Sequence, residues 1–374
     1  MRSSVLGLLL GSFVLACGDA PPPATPAPAP APSPSPLPAE TAPTASAAPA
    51  PAPAPSPEDL KKEEAKKQLA ADRAKWEADH KAELARWTPE IRAAAKALAD
   101  KAYPSGKAAL QATIAGKHRR PEAVARDKYR HPLETLDFLG FKPNMTVLDI
   151  GPGDGWYTEI LAPAVAKSGK YLATSGDPNG PIESRGTYYA QRWKGFVETS
   201  PEAYGKIQTI VLDGKAPKLG LDGTVDMVLL MRGMHGWKND GTTAAWLAEV
   251  HKALKPGGVF GVEEHRAAAD GNPDETAKKG YLPEKWVIDT VEAAGFKLAA
   301  KSEVNANPRD TKDYADGVWT LPPTLRLGDK DRDKYLTIGE SDRMTLKFVK
   351  VAPKTEKAAD KPADKKPADK PAKK

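Results

Sequence analysis

Alternating glycines beside a carboxylate form the motif of this chain that indicates chemistry most directly. In the stretch VLDIGPGDGWYTEIL (residues 147–161), Asp149 is followed by Gly151, Gly153 and Gly155. The apolar residues before the glycines suit a short buried strand, and the residues after them suit the start of a helix. A strand, a glycine turn and a helix let a ligand approach backbone N–H groups closely, with a carboxylate nearby.

The spacing of these glycines argues against two common nucleotide sites. A dinucleotide site needs G-x-G-x-x-G, and Trp156 occupies the position of the third glycine. A Walker A loop needs Gly-Lys-Ser/Thr, a tripeptide that this sequence does not contain. The pattern is D-x-G-x-G-x-G, which resembles motif I of class I S-adenosylmethionine-dependent methyltransferases. The alternative is a glycine turn that only connects two elements.

The resemblance to this methyltransferase class extends from about residue 117 to residue 351. It includes the turn LKPGG before the fifth predicted strand. Three longer segments, RRPEAVARDKYRHPLETLDFLG, GWYTEILAP and IGESDRMTLKFVK, resemble a group of predicted bacterial envelope methyltransferases. The implied fold class is α/β: a Rossmann-like, seven-stranded, mostly parallel sheet with helices on both faces and the last strand antiparallel.

Periodicity independently favours alternating strands and helices, as in a parallel sheet covered on both faces. The predicted strands cover residues 146–150, 170–174, 207–212, 225–231, 259–263, 296–304 and 344–351. Ligands of such sheets bind outside the carboxyl ends of the strands. We therefore expect the site residues to lie at that edge.

The resemblance implies a binding site for S-adenosylmethionine. Gly151, Gly153 and Gly155 are expected to line the methionine end of the cofactor. Asp149 is expected to orient the glycine loop or to meet the amino group of the cofactor. The simpler interpretation of Asp149 is a cap of the turn.

Two further aspartates are candidates for binding the nucleoside part of the cofactor. In the resembled class, an acid at the end of the second strand binds the ribose hydroxyls, but that position here is about Ser175. Asp177 lies two residues further on and is the candidate, although Ser-Gly-Asp-Pro also suits an ordinary turn. Asp213, just after the third strand, matches the position that meets the adenine amine. It also lies in an Asp-Gly turn.

Two histidines are candidates for catalysis. His235 lies in the loop RGMHGW after the fourth strand, which in the resembled class faces the transferred methyl group. An imidazole titrates near neutral pH and can act as a base, but His235 can equally be a packed structural histidine. His265 ends the fifth strand after Glu263 and Glu264, on the same rim. We predict no metal site there, because H-x-x-E-H and H-E-x-x-H spacings are missing.

The two ends of the chain differ in composition from the middle. Residues 1–16 resemble a signal peptide, and Val-Leu-Ala-Cys resembles a lipobox with Cys17, the single cysteine, as the lipid attachment site. An ordinary cleaved signal is the alternative. Residues 18–57 are a Pro/Ala-rich linker, 58–116 a charged helical segment, 117–352 the methyltransferase-like domain, and 353–374 a Lys/Pro/Ala tail predicted to be disordered.

These features predict an enzyme that is anchored to the bacterial envelope through lipid on Cys17 and methylates an unidentified acceptor. The net charge of +6 is concentrated in the tail, so it does not indicate nucleic-acid binding. The alternative function is a catalytically inactive methyltransferase-fold lipoprotein that binds or scaffolds. That alternative stays open because a signal peptide sends the domain away from the cytoplasm, where the cofactor is made. The oligomeric state is not indicated.

Overall fold

The computed structural model describes residues 56–351. The predicted signal peptide, Cys17, nearly all of the linker and the C-terminal tail lie outside these residues. Within the described range, no helix combines the length and the apolar character needed to cross a bilayer.

Seven strands form one sheet in the order β3-β2-β1-β4-β5-β7-β6. Strands β1 to β5 pair in parallel, and β7 runs antiparallel to both β5 and β6. The fold is therefore the Rossmann-like, mostly parallel sheet with an antiparallel last strand that the sequence predicts. The strands are β1 Thr146–Ile150, β2 Lys170–Ser175, β3 Gln208–Val211, β4 Val225–Met231, β5 Leu254–His265, β6 Phe296–Ser302 and β7 Arg343–Lys350.

Helices cover both faces of the sheet, which explains why β1 and β4 are mostly apolar rather than alternating, apart from Thr146, Asp149 and Asp226. One face packs Val147 and Met227 against residues such as Leu136 and Leu161, and the other packs Leu148 against Leu247 and its neighbours. The helices are α1 Pro57–Arg86, α2 Pro89–Asp100, α3 Gly106–Ile114, α4 Pro121–Val124, α5 Asp127–Arg130, α6 Pro132–Leu139, α7 Thr158–Val165, α8 Arg185–Glu198, α9 Pro201–Tyr204, α10 Met234–Asn239, α11 Thr243–Ala253, α12 Pro273–Thr276, α13 Glu284–Ala293 and α14 Arg332–Ile338.

The N-terminal helices pack against the face that carries α7 to α9. The Tyr188 hydroxyl donates to the Asp72 carbonyl oxygen over 3.0 Å, and Arg92 Nη1 lies 3.0 Å from Glu202 Oε2. Trp87 is buried against Tyr204. The charged helix therefore uses one side for packing, and its remaining charges face solvent.

The strands β1 and β4 have the predicted bounds, whereas β5 differs. The sequence predicts a turn at residues 255–258 followed by a strand, but β5 already begins at Leu254, with Gly257 in the left-handed region inside it. Pairing of Leu254 with Val225 extends the strand backwards through the turn sequence. Helix α7 continues past Pro163 to Val165, and the Glu159 carbonyl oxygen that Pro163 cannot bond lies 2.6 Å from His118 Nε2 instead.

Six helices, α3, α8, α9, α10, α12 and α14, are not individually predicted by the sequence pattern, and α3 and α8 are the longest of them. Both α3 and α8 begin after a serine whose side chain accepts a backbone N–H from the first turn, namely Ser105 and Ser184. Such caps supply the signal that could have located them. Helix α8 contains two glycines and several aromatic residues, which obscure the helical period.

Candidate active site

The glycine loop after β1 opens onto a cavity at the carboxyl edge of the sheet. Gly151, Gly153 and Gly155 have φ angles of 65°, 59° and 78°, in the left-handed region that side chains rarely adopt. A Cβ added at Gly151 or Gly153 would meet no atom within 4 Å, whereas one at Gly155 would lie 2.6 Å from the Phe196 ring. The first two glycines thus face open space, and the third allows α8 to pack closely.

The cavity has a volume of about 350 Å³, within the usual range for small-molecule sites. Its walls are formed by the glycine loop, the loop after β4, the segment that contains α4 and α5, and the connection between β6 and β7. The lining residues used below are Arg126, Arg130, Asp149, Gly151, Gly153, Trp156, Arg232, His235, His265, Trp319, Glu340 and Ser341. The indole of Trp156 also lines a neighbouring cavity of about 960 Å³ beside α1 and α8.

Asp149 lies at the bottom of the cavity, near the end of β1. It is only 2 % exposed, and its carboxylate accepts a hydrogen bond of 2.6 Å from the Tyr171 hydroxyl on β2. Burial raises the pKa of Asp149 to about 6, although the hydrogen bond from Tyr171 and the charge of Arg232 oppose the shift. The group therefore has little protein charge to neutralise it, and a cationic ligand would lower its pKa.

His235 lies in the first turn of α10, where the sequence predicted a loop, and a buried carboxylate orients it. Its Nδ1 lies 3.0 Å from Glu264 Oε1, while Glu264 Oε2 accepts the backbone N–H groups of Met234 and His235. Glu264 is 0 % exposed. Burial lowers the pKa of His235, but the charge of Glu264 and its hydrogen bond outweigh burial, so the net shift is upward. Because Nδ1 is held by Glu264, Nε2 is the ring nitrogen available to a ligand.

His265 lies beside His235, with 5.7 Å between the ring centroids. Its Nδ1 is 2.6 Å from the Ser341 hydroxyl, and its backbone N–H donates to Glu264 Oε1. Burial, followed by the positive charges of His235 and Arg232, lowers the pKa of His265 well below its usual value. The two predicted histidines thus share one cavity, one with a raised and one with a lowered pKa. In residues 56–351, no group of three or more His, Cys, Asp or Glu side chains is placed to hold a metal ion.

Two buried carboxylates hold the arginines of the cavity. Glu340 accepts Arg126 Nε at 2.6 Å, Arg130 Nε at 3.2 Å and Arg343 Nη1 at 3.0 Å. Burial opposes ionisation of Glu340, but the three guanidiniums outweigh it and lower its pKa to about 2. The second carboxylate belongs to Glu263.

Glu263 joins the loop after β4 to β7. Arg232 Nη1 donates to Glu263 Oε1 at 2.8 Å, Arg343 Nη1 lies 3.2 Å from the same oxygen, and the Tyr157 hydroxyl donates to Oε2 at 2.7 Å. Arg232 has a φ of 61°, which is unusual for a residue with a side chain. Arg343 thus pairs with both buried carboxylates, Glu263 and Glu340.

The sequence analysis missed the connection between β6 and β7, residues 303–342, as a wall of the site. Trp319 in this connection lies 6.1 Å from the His235 ring, centroid to centroid. The Tyr281 hydroxyl donates to Asp310, which in turn accepts the Asp342 backbone N–H at 2.8 Å. The signal that could have found this wall is its length, because antiparallel neighbours need only a short hairpin connection.

The two aspartates predicted to bind the nucleoside lie elsewhere. Asp177 and Asp213 are exposed and outside the lining of both cavities. Each carboxylate accepts a backbone N–H two residues later, from Asn179 and Lys215, at 2.8 and 2.9 Å. In this structure both act as turn residues, and their role in cofactor binding stays a prediction.

Comparison with known proteins adds fold-level similarity only. No family model and no curated protein matches the sequence. A SAM-dependent methyltransferase from Aquifex aeolicus is 20% identical, covers 61% of this chain and 93% of its own, and has a TM-score of 0.40. The [4+2]-cyclase SpnF is 16% identical, with coverage of 60% and 80% and a TM-score of 0.40.

A third similar structure is a Burkholderia thailandensis 1,6-didemethyltoxoflavin-N1-methyltransferase with bound 1,6-didemethyltoxoflavin and S-adenosylhomocysteine. It is 15% identical, with coverage of 60% of this chain and 77% of its own and a TM-score of 0.35. None of the three supports the narrower resemblance to envelope proteins. All three TM-scores lie below 0.5, so the function has to be inferred from the residues of the cavity in this Rossmann-like fold.

Proposed function

We propose that this chain is an S-adenosylmethionine-dependent methyltransferase. One observation carries the proposal: two glycines in the left-handed region open onto the same cavity as an imidazole that a buried carboxylate orients. The glycines provide room for a ligand against the backbone, and the imidazole provides a base. Open space also occurs at turn glycines such as Gly223, but at Gly151 and Gly153 that space belongs to this cavity.

The residues present fit the methionine end of this cofactor. Gly151 and Gly153 offer close backbone approach, and Asp149 offers a buried carboxylate without a cationic partner in hydrogen-bond contact. That carboxylate suits the ammonium group of the cofactor. When bound, the cofactor supplies a methyl group on a positively charged sulfur, which is an electrophile that needs little acid catalysis.

The chain's own contribution is positioning and proton removal. Glu264 holds Nδ1 of His235, so that Nε2 can take a proton from an oxygen or nitrogen of the acceptor. The same carboxylate stabilises the imidazolium that results. Trp319 and the connection between β6 and β7 line this end of the cavity, beside the His235 ring. Fixed geometry supplies most of the rate in such a displacement.

The finer part of the proposal concerns location. The lipobox-like sequence at Cys17 supports attachment to a membrane of the bacterial envelope through lipid, with residues 18–57 as a tether. Labelling of cells with a radioactive fatty acid, followed by purification of the chain and of Cys17→Ser, tests this. Label in the unchanged chain and none in the variant is expected, and label in neither would exclude lipid attachment.

Calorimetric titration of the purified chain with S-adenosylmethionine tests the proposed activity. We expect micromolar binding, followed by release of S-adenosylhomocysteine when an envelope extract is added. Binding without release in any extract fraction would favour the inactive binding protein, and a lack of binding would exclude both forms of the cofactor proposal.

A further inference from the structure

The cavity is lined by guanidinium groups that lack full pairing. Arg130 is 5 % exposed, and its Nε donates to Glu340, but its two terminal nitrogens donate to no residue in the range 56–351. Arg126 Nη2 is buried and also has no hydrogen-bond partner among those residues. Arg232 uses only Nη1, in its contact with Glu263. A buried donor such as Arg126 Nη2 is costly unless a ligand satisfies it, and the terminal nitrogens of Arg130 are available to the same ligand.

Positive charge at least equals negative charge around this cavity. Arg126, Arg130, Arg232 and Arg343 face Glu340 and Glu263, and Asp149 lines the same cavity, which leaves one more cation than anions when Glu264 pairs with a protonated His235. When His235 is neutral, the charges balance. Burial and the facing charges of Arg232, Arg126 and Arg343 lower the pKa of Arg130 despite Glu340. Since a guanidinium keeps its proton in proteins, Arg130 stays a buried cation with three other guanidiniums near it.

The proposed cofactor adds positive charge to the cavity. Its sulfonium and ammonium groups each carry one positive charge, whereas its carboxylate carries one negative charge. With the cofactor bound, cations would outnumber anions in a largely buried space, where like charges repel more strongly than in water. A second ligand with negative charge would satisfy both the free donors and the charge.

We propose that the methyl acceptor is an anion, with a carboxylate or phosphate group that binds Arg130 and Arg126 beside His235. This inference rests on the proposed function. The planar guanidinium of Arg130 stacks over the Trp156 ring, with Cζ 4.8 Å from the ring centroid. It is therefore fixed in orientation and can present both terminal nitrogens to an oxyanion. His235 lies in the same cavity. Its Nε2 can therefore take the proton from the nucleophilic atom of the acceptor.

The test measures the affinity of the unchanged full chain for S-adenosylmethionine with and without inorganic phosphate, at constant ionic strength maintained with chloride. Acetate replaces phosphate in a second series. An anion beside the sulfonium is expected to tighten binding of S-adenosylmethionine about tenfold, and by linkage the cofactor tightens binding of the anion equally. S-Adenosylhomocysteine, which lacks the positive charge on sulfur, should gain much less. The more effective of phosphate and acetate identifies the anionic group.

Competition between the added anion and S-adenosylmethionine would contradict the proposal of an anionic acceptor. If phosphate and acetate weaken binding of S-adenosylmethionine or leave it unchanged, the arginines serve only the carboxylate of the cofactor, and the anionic acceptor is excluded while the proposed function stands. If S-adenosylmethionine does not bind at all, the proposed function fails, and this inference fails with it.

Two variants test whether Arg130 is responsible for the effect of phosphate on the binding of S-adenosylmethionine. Arg130→Met removes the free donors, and it should abolish the gain from phosphate while leaving binding of S-adenosylhomocysteine within about threefold. Arg309→Met is the matched control, because Arg309 is exposed and lines neither cavity. Equal responses to phosphate in both variants would contradict the assignment to Arg130. The wild-type series decides the proposal independently if Arg130→Met does not fold.

Discussion

The two halves of the carboxyl edge of the sheet are built differently. Above β1, β4 and β5, the polar side chains are buried and held by other side chains, as Glu264 holds His235 and Glu340 holds Arg130. Above β2 and β3, the candidate residues Asp177 and Asp213 are exposed and bind only the backbone of their own turns. The side chains above β1, β4 and β5 are thus held in place before a ligand binds. The aspartates above β2 and β3 are hydrated, so a ligand has to displace water from them.

This difference assigns separate tasks to the two halves. Buried carboxylates act in a low dielectric, so each fixes the charge and orientation of its partner strongly. Exposed turn aspartates gain little from a new hydrogen bond, because they give up contacts with water to form it. We therefore expect catalysis and acceptor selection to depend on the buried half, and the exposed half to adjust affinity only. The expected effects of substitutions therefore decrease from the buried half to the exposed half.

The largest effect is expected from closing the open space at Gly153. An arginine there would fill the cavity, so Gly153→Arg should abolish binding of S-adenosylmethionine in a calorimetric titration. Gly223→Arg is the matched control: Gly223 has a φ of 62° and open space for a Cβ, as Gly153 does, but lies outside both cavities. Both variants incur the same backbone strain. Equal loss of binding in both would show that strain, not occupancy, is responsible, and would remove the distinction between the two halves.

The second prediction concerns Glu264. In Glu264→Gln, His235 loses its charged partner, so burial should dominate and its pKa should fall below the ordinary value instead of above it. Once an acceptor is identified, kcat is expected to fall roughly 100-fold. In the unchanged chain kcat should rise with pH through the raised pKa of His235, and in the variant this rise should move to lower pH.

A control for Glu264→Gln is Glu249→Gln. Glu249 also accepts a backbone N–H, from Leu219 at 2.8 Å, but does not line the cavity. Its kcat and pH profile should match those of the unchanged chain. An unshifted profile in Glu264→Gln would show that His235 is a packed structural histidine.

Acid stability provides the third comparison. The pKa of Glu340 is lowered to about 2 in the folded chain, against roughly 4.3 when unfolded. The stabilisation by Glu340 is therefore present above about pH 5 and is lost as the pH falls toward 2, a total of roughly 3 kcal/mol. Urea unfolding should show this loss in the unchanged chain. In Glu340→Gln the free energy of unfolding should be lower by a similar amount at pH 7 and should vary less between pH 5 and pH 2.

The smallest effects are expected from the exposed half. Asp177→Ala and Asp213→Ala should each raise the dissociation constant of S-adenosylmethionine by less than about tenfold, since one exposed hydrogen bond contributes about 1 kcal/mol. The melting temperature serves as the control for turn stability. If the affinity for S-adenosylmethionine fell 100-fold or more in either variant, the loops after β2 and β3 would have to rearrange around the nucleoside. The difference between the two halves of the sheet edge would then hold only for the protein without ligand.

The glycine spacing of D-x-G-x-G-x-G predicted the turn after β1 correctly because this signal is local. A left-handed backbone at alternating positions requires glycine, and short apolar segments specify buried strands. The bounds of β1 and β4 and the order of elements follow from the same local rules. Local rules were insufficient for β5, where pairing with β4 extended the strand through Lys-Pro-Gly-Gly, and for α8, where a serine cap outweighed a weak helical period.

The strand–turn–helix element, the class of sheet and the two candidate histidines thus follow from local sequence patterns. The contacts of these histidines and of the arginines depend on the folded arrangement. Glu264 lies 29 residues from His235, and Glu340 lies 210 residues from Arg130. Such pairs meet because strands far apart in the chain end at one edge of the sheet, and sheet pairing depends on burial of the whole chain rather than on neighbouring residues.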